Sequence, residues 1–466
     1  MAQEPLVHFS NGRTSVYVAN VFVSASGDVR ILLWCSWVPL ASSDAHLSSH
    51  ISNGLLDIEF VISATGQVVP CSILSPKQAD FTVQIVVCET SSVLANRAEQ
   101  HSADDAPPLE GVLRVKENLI ERLRAKKFDE TVPFMSPVEL VACRWDAAAG
   151  HTPIKRSESG KFSSALVTMI KVSYVGAGLN MKTGPFISER LREWVVYHLA
   201  LGFSHIFVYV DGNAASTNQI LEPLIRAGLV SVMGVRRRDV PAAIWRHGLG
   251  IKRFDALASQ QLVVFSAHYD RYRSYFDYMS VLDVDEFLYA NASVVYAGYS
   301  MPNTSLLDAF LEYQIESSRS PSRLNKPACV FRLHWWYLFR TPGREIRRVV
   351  RDYQSRQTNA TAAKRGSSKT IFNAGAHQYL DQHGPTRGVG ACTGGEIYVK
   401  PEVAHAVHFR ATARDFVDQC RLDTPLNMSY MEDTWNRIVP PFLDRTRHAF
   451  NINVDDEWIG TILPLG

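Results

Sequence analysis

The stretch that most constrains this chain is Tyr278-Met-Ser-Val-Leu-Asp-Val-Asp-Glu-Phe-Leu288, where an apolar run breaks into Asp283, Asp285 and Glu286. Such a run reads as a buried strand presenting acids at its carboxyl end, the place where ligands bind in open α/β sheets. Side chains alternate faces in extended backbone, so Asp283 and Asp285 are predicted to project together while Val284 turns back to the core. Like charges this close repel unless a cation, hydrogen-bond donors or a proton compensates, and oxygen ligands favour hard divalent ions. Two readings are open at this point: a paired-carboxylate site for Mn²⁺ or Mg²⁺, or a polar strand end that caps a helix.

A chain of 466 residues can bury a large core, and its length favours two or three domains. A net charge of +2 excludes a generally basic nucleic-acid binder. The seven cysteines are widely spaced and form no CxxC pair, which argues against zinc and leaves disulfides open. No secretory signal or membrane anchor is legible in this sequence: the longest apolar run, Ile31 to Ala41, contains Ser36 and Pro39 and falls short of the ~20 residues of a spanning helix. Sequons at Asn291, Asn303, Asn359 and Asn427 fit a secretory lumen. Either an anchor lies outside this sequence, or the protein is cytosolic and the sequons are incidental.

Residues 14–24, 29–38, 57–63 and 81–88 read as short strands divided by turn signals. They predict a small β-sandwich over about 12–98 with a polar linker to Gly111, hence a β-rich domain of residues 1–111. Trp34 and Trp37 are either core residues or a carbohydrate platform. Leu113, Val115, Leu119 and Leu123 among charged residues predict a helix over 112–128, and Ser/Gly/Lys-rich 155–164 closes a helix-and-linker segment, 112–163. From Ser164 to the end at 466, strand and helix patterns alternate, predicting a mainly parallel sheet with helices on both faces.

Within that α/β domain, residues 165–174 form the first predicted strand, followed by the Gly-rich 175–178. A helix over 188–201 buries Leu191, Trp194, Val195 and Leu199 and stops at Gly202, leaving Glu193 off the stripe for solvent or a site. The strand His205 to Val210 ends at Asp211, a candidate for ribose or base contact or simply a turn-forming Asp-Gly. A helix from Ser216 and a strand over 229–235 complete a βαβ unit. A long helix over 256–276 lines up Gln260, Ala267 and Arg271 on one face. Trp335 and Trp336 fall on opposite sides of the aromatic strand 329–339, so one can be core and the other a sugar platform. From Arg340 to Lys369 nine basic residues face two acids, and the loop 354–368 is predicted to order over an anionic ligand. His405 and His408 face opposite ways, so at most one of them completes a metal shell with the aspartates.

Several of these pieces together resemble glycosyltransferase family 92 over roughly 164–410. They are Leu191-Arg-Glu-Trp-Val-Val-Tyr-His through Val-Tyr-Val-Asp-Gly-Asn213, then Gln260 and Arg271, Leu282-Asp-Val-Asp-Glu-Phe287, Lys369, His377 and His408-Phe-Arg410. The resemblance implies a GT-A (Rossmann-like) fold and a Mn²⁺-dependent (or Mg²⁺-dependent), inverting transferase in the Golgi or secretory lumen. Its donor would be a UDP-sugar, commonly UDP-galactose, and its acceptor a glycan or polysaccharide such as pectic galactan. It also implies a carbohydrate-binding domain ahead of the catalytic one. On this basis Asp283, Asp285 and His408 are the metal candidates, and Asp211, Gln260, Arg271, Lys369 and His377 the donor candidates. Glu396, in a Gly-Gly-Glu turn, and Asp352 are candidates for the catalytic base. The chain departs from the family pattern at Ala267-His268, where an acidic residue and Cys are usual.

Two other readings compete. A haloacid-dehalogenase-like phosphohydrolase also uses Asp-x-Asp, but wants Thr or Val where this chain has Phe287. An inactive sugar-binding protein of the same fold is the non-enzymatic alternative. Oligomeric state is not legible.

Overall fold

A computed structural model describes residues 6–9, 14–23, 28–37, 57–74, 83–91, 109–116, 118–119, 121, 133–142, 162–171, 184–211, 214–235, 261, 264–265, 267–269, 271–298, 304–318, 328–339, 355–357, 368–376, 380–381, 384–385, 395–410 and 429–451. The chain divides into two compact units, Met1–Ala149 with Arg236–Tyr272, and Gly150–Val235 with Arg273–Gly466.

The first unit contains β1 (Val7–Phe9), β2 (Thr14–Val23), β3 (Val29–Trp37), β4 (Ile58–Ile62), β5 (Val68–Leu74), β6 (Val83–Cys88), β7 (Leu109–Val115), β8 (Pro133–Met135) and β9 (Val138–Ala142). They make one antiparallel sheet in the order β8-β1-β2-β3-β6-β5-β4-β7-β9. Ile58, Phe60 and Ile62 on β4 and Leu109, Leu113 and Val115 on β7 are buried at alternate positions and share one apolar core. A disulfide joins Cys71 and Cys88, which stand opposite each other on β5 and β6.

Three expectations are corrected here. The strands are hydrogen-bonded in one continuous order of nine that extends to residue 142 instead of ending near residue 98. The helix predicted at 112–128 is, over 109–115, strand β7, where burial recurs every second residue and pairing with β4 and β9 overrides the helical spacing of Val115 and Leu119, while Leu119 and Glu121 are helical as expected. The β-rich region therefore passes residue 111 and reaches Ala142. The side chains of Trp34 and Trp37, and residues 122–128, lie outside the described residues.

The second unit holds β10 (Ser164–Lys171), α1 (Gly184–Leu201), β11 (His205–Asp211), α2 (Ala214–Arg226), β12 (Val230–Val235), β13 (Tyr278–Val281) and β14 (Glu286–Ala290). These are followed by α3 (Leu306–Ser318), β15 (Val330–Phe339), β16 (Ser355–Gln357), β17 (Lys369–Asn373), β18 (Leu380–Asp381), β19 (Gly384–Pro385), β20 (Glu396–Tyr398), β21 (Ala404–Arg410) and α4 (Ser429–Phe450). The main sheet runs β12-β11-β10-β13-β17-β15-β21-β14, with β16 and β20 also paired to β15. β12 through β13 are parallel, as the alternating pattern predicts, and β11-α2-β12 is the predicted βαβ unit. Beyond β13 the sheet is mixed: β17 is antiparallel to both neighbours, β21 is parallel to β15, and β14 closes the edge antiparallel to β21.

Helix α1 is buried at every position from Leu191 to Ala200. Glu193 is therefore inside, not on a free polar face. The reason is that α1 is covered on more than one side: Tyr197 packs on Phe287 of β14 and stacks on Trp435 of α4. The helix ends at Gly202, which has φ +130° and donates its N–H to the carbonyls of His198 and Leu199. A side chain at Gly202 would collide with Ser305, whose hydroxyl caps α3 by accepting the Asp308 N–H at 3.1 Å.

Candidate active site

The acidic motif sits between two strands. β13 ends at Val281, and the Glu286 N–H donates to the Asp283 carbonyl at 2.9 Å, closing a tight turn over 283–286. The Glu286 side chain locks the turn from inside, its Oε2 accepting the Asp283 N–H at 2.8 Å. This corrects the predicted geometry in part: the backbone turns at 284–285 and does not continue extended, while Val284 points into the core and both aspartates stay outside it, as expected. Asp283 leans toward Lys369, with Oδ2 3.6 Å from Nζ. Asp285 leans toward His408, with Oδ2 3.0 Å from Nε2. Their side chains are 45% and 36% exposed, so both carboxylates remain reachable.

Beneath them lies a buried ion pair. Lys369 Nζ stands 2.7 Å from Glu286 Oε2, at side-chain exposures of 2% and 0%. Burial pushes the Glu286 carboxyl up to about 7 against the pull of Lys369. Burial by itself lowers the Lys369 ammonium, but Glu286 and Asp283 outweigh it and hold the group above the ordinary lysine value, so it stays charged. The other Glu286 oxygen, Oε1, is 3.5 Å from His408 Nδ1. These contacts follow from register, because Glu286 on β14 pairs directly with His408 on β21. Trp335 of β15 completes the wall: its ring stacks on His408 at 4.8 Å and lies 5.2 Å below Lys369 Nζ.

The turn is anchored by α1. β14 is the last strand of its sheet, and its outer backbone groups are met by side chains of one helix. Trp194 Nε1–H donates to the Glu286 carbonyl at 2.6 Å and the Tyr197 hydroxyl to the Leu288 carbonyl at 2.7 Å. His198 Nε2 accepts the Leu288 N–H at 3.3 Å while Nδ1–H donates to the Trp194 carbonyl at 2.8 Å. The sequence reading missed this role. Its signal is the spacing of three polar-tipped rings at i, i+3 and i+4 on a helix apolar enough to be buried.

The structure thus brings Asp283, Asp285, Lys369 and His408 together and adds Glu286 and Trp335. Lys369, expected to present its charge to a donor, is instead turned inward onto Glu286. His405 points away from His408: it is buried, with Nδ1–H donating to the Pro401 carbonyl and its ring against Tyr289. Asp211 is buried at the carboxyl end of β11, level with Lys171 and Val235. Arg271 is half-buried on a helical segment of the first unit. Gln260, Asp352 and His377 lie outside the described residues, as do 354 and 358–367 of the predicted loop 354–368, whose residues 355–357 are strand β16 instead.

Glu396, a candidate base, is not brought to the acidic turn. It accepts two hydrogen bonds from Arg332, Nε at 2.7 Å and Nη2 at 2.8 Å, which ties up both oxygens. Glu396 pairs with Val330 on β15, whereas Lys369 pairs with Leu333. Alternation along β15 puts Val330, Arg332 and Glu396 on one face and Leu333, Trp335 and Lys369 on the other.

The donor set fits a divalent cation. Asp285 Oδ2 and His408 Nε2 are 3.0 Å apart, about the separation of two adjacent ligands on an octahedral ion bound at ~2.1 Å. Glu286 and Lys369 neutralise each other, which leaves Asp283 and Asp285 to balance a dication. Among the described residues no three His, Cys, Asp or Glu side chains form a ready-made cage, so the remaining positions would fall to a ligand or water.

The profile of glycosyltransferase family 92 matches residues 186–451, more than half of the chain, and the protein belongs to that family. This displaces the phosphohydrolase alternative. The chain is 26% identical to galactan beta-1,4-galactosyltransferase GALS2 of Arabidopsis thaliana over 45% of its own length and 40% of the relative's. It is 27% identical to galactan beta-1,4-galactosyltransferase GALS1 of the same plant over 44% and 39%. The matched region thus spans about two fifths of these curated relatives. Among solved structures, S. aureus TarS 1–349 aligns with a TM-score of 0.22 at 10% identity, covering 63% of this chain and 76% of that one. The galactosyltransferase LgtC in complex with donor and acceptor sugar analogs aligns with a TM-score of 0.24 at 10% identity, covering 64% and 99%. At such scores the mixed α/β architecture rests on the strands and helices described above.

Proposed function

We propose that this protein is an inverting glycosyltransferase of GT-A type that moves a sugar, galactose in the first instance, from a UDP-sugar to a glycan or polysaccharide acceptor. The observation that carries the reading is the facing pair Asp285 and His408 above a self-neutralised Glu286–Lys369 pair, in a chain of family 92. Galactose as the donor sugar and galactan as an acceptor rest on the names of the two plant relatives.

Asp285 and His408 would hold Mn²⁺ or Mg²⁺, with Asp283 on the opposite flank of the turn. When bound, the cation supplies Lewis acidity for the charge that collects on the departing UDP. The protein's own groups then bind and orient. Asp283 and Asp285 keep half-exposed carboxylates at the rim, Trp335 excludes water from one face of His408, and Lys369 keeps Glu286 from adding a third free negative charge. Asp211, Gln260, Arg271 and His377 are proposed donor contacts, and Asp352 is the proposed base for the acceptor hydroxyl. The Cys71–Cys88 bridge and the sequons favour an oxidising, secretory lumen. No helix among the described residues is long and apolar enough to cross a membrane.

The test is release of UDP from a panel of UDP-sugars with and without Mn²⁺. Asp285→Ala is expected to lower turnover by about two to three orders of magnitude, the scale on which a metal's charge stabilisation acts, with the thermal midpoint nearly unchanged because the side chain is at the rim. Release that is indifferent to the metal and to the substitution would overturn the proposal.

A further inference from the structure

We infer that Glu286 is the positioning residue of this site: one buried carboxylate that sets the directions of both His408 and Lys369 and fixes the turn that carries the two aspartates. The inference rests on the transferase reading above and goes beyond it. Oε2 takes the Asp283 N–H at 2.8 Å and Lys369 Nζ at 2.7 Å, and Oε1 stands 3.5 Å from His408 Nδ1. His408 is thereby held from three sides, by Glu286 behind, Asp285 in front and the Trp335 ring flat against it with 16° between planes. At 3.5 Å, Oε1 and Nδ1 make no hydrogen bond, and Glu286 acts on the ring as a buried negative charge beside its far nitrogen, which favours an N–H at Nδ1 and leaves Nε2 to face forward as the better ligand.

The same carboxylate governs the other flank. Lys369, drawn onto Glu286, ends 3.6 Å from Asp283 Oδ2 and so decides which way that carboxylate leans. The backbone of Glu286 is fixed in turn by Trp194 on its carbonyl and by register with His408. Glu286 does not reach the rim, because its side chain is fully buried. Its effect must therefore pass through the residues it touches. A mere packing ion pair makes a different prediction, namely that its loss harms folding and leaves ligand affinity in the folded protein unchanged.

The test is Mn²⁺ binding to the full chain by electron paramagnetic resonance with UDP present, together with the KM for UDP-sugar. Glu286→Gln is expected to weaken Mn²⁺ binding by about ten- to hundredfold and to raise KM, with the circular dichroism spectrum retained. Arg332→Lys, on the opposite face of β15, serves as the control and keeps the original affinity. If Glu286→Gln alone does not fold, the double variant Glu286→Gln/Lys369→Met removes the stranded ammonium, and its Mn²⁺ affinity decides, again expected to be weakened. Affinity within about twofold of the unaltered protein in either folded variant, or failure of both to fold, reduces Glu286 to a structural role and overturns the inference. Failure of the unaltered protein to bind Mn²⁺ with UDP is a distinct outcome, which removes the transferase reading and this inference with it.

Discussion

The nine-stranded sheet of the first unit and the main sheet of the second bury different kinds of side chain. Among the described residues of the former the buried side chains are apolar except for Arg30, and at its margin the buried Thr90 hydroxyl accepts the Val29 N–H at 3.0 Å. The latter buries His205, Asp211, Glu286, Lys369 and His408, and helix α1 beside it buries Glu193 and His198. Each ionised group inside a protein costs several kcal/mol unless it is paired and hydrogen-bonded. Their concentration in and beside one sheet therefore marks where the chain sacrifices stability for chemistry, and the apolar sheet is the background against which that sacrifice can be measured.

The sharpest way to break the comparison is to remove one partner of the buried pair. Lys369→Met leaves Glu286 without its cation in a fully buried position, and is expected to destabilise the protein by about 3–5 kcal/mol in urea unfolding. Neutralising the partner as well, in Lys369→Met/Glu286→Gln, should recover most of that loss. A single variant as stable as the unaltered protein would mean that the pair carries no such burden and that the contrast between the two sheets is superficial.

The apolar sheet should respond to shape instead of charge. Gly111 on β7 faces the core beside Phe60, and a methyl group there would overlap the Phe60 ring and come within 2.7 Å of the Val61 carbonyl oxygen. Gly111→Ala is therefore expected to cost about 1–3 kcal/mol by overpacking, with no change in that cost between pH 5 and pH 7. A pH-dependent loss, read from urea midpoints at the two values, would contradict the assignment of this sheet as a purely apolar core.

The fold was legible wherever one period dominated. The alternation of Ile58, Phe60 and Ile62, the apolar run His205 to Val210 and the helix–strand alternation after residue 164 each match an observed element. At 112–128 two periods competed: Leu113 and Val115 satisfy a strand, Val115 and Leu119 a helix, and only the neighbours β4 and β9 decide between them. The acidic motif was legible as chemistry but only in part as geometry. No Gly or Pro marks the reversal at Asp283, which is made by a hydrogen bond from Glu286 that looks like strand continuation in sequence. The placement of Glu396 was illegible for a related reason, since its face depends on pairing with Val330, a partner 66 positions away in the chain. Glu286 stands in the motif in plain view, yet its partners Lys369 and His408 are chosen by long-range register alone.

The smallest effect separates the sheets by pH. His198 is wholly enclosed by Trp194, Tyr197, Phe203 and Phe287, and burial lowers it from 6.5 to about 3; His205 is lowered to about 4 by the same cause. Both are thus neutral in the folded protein at pH 5, whereas the unfolded chain binds protons at these positions below about 6.5. Because the unfolded state holds more protons in that window, stability is fully present above pH 6.5 and falls as pH drops toward the folded values. Each histidine contributes a slope of up to about 1.4 kcal/mol per pH unit. His198→Phe forfeits the bonds to Trp194 and Leu288 and will be less stable at pH 7, but its loss of stability between pH 6 and pH 4 should be shallower than that of the unaltered protein by one histidine's share. Equal slopes would show that the imidazole is protonated inside the fold. The edge of β14 would then lose the acceptor that holds the Leu288 N–H, and with it one of the three α1 contacts that seat the acidic turn.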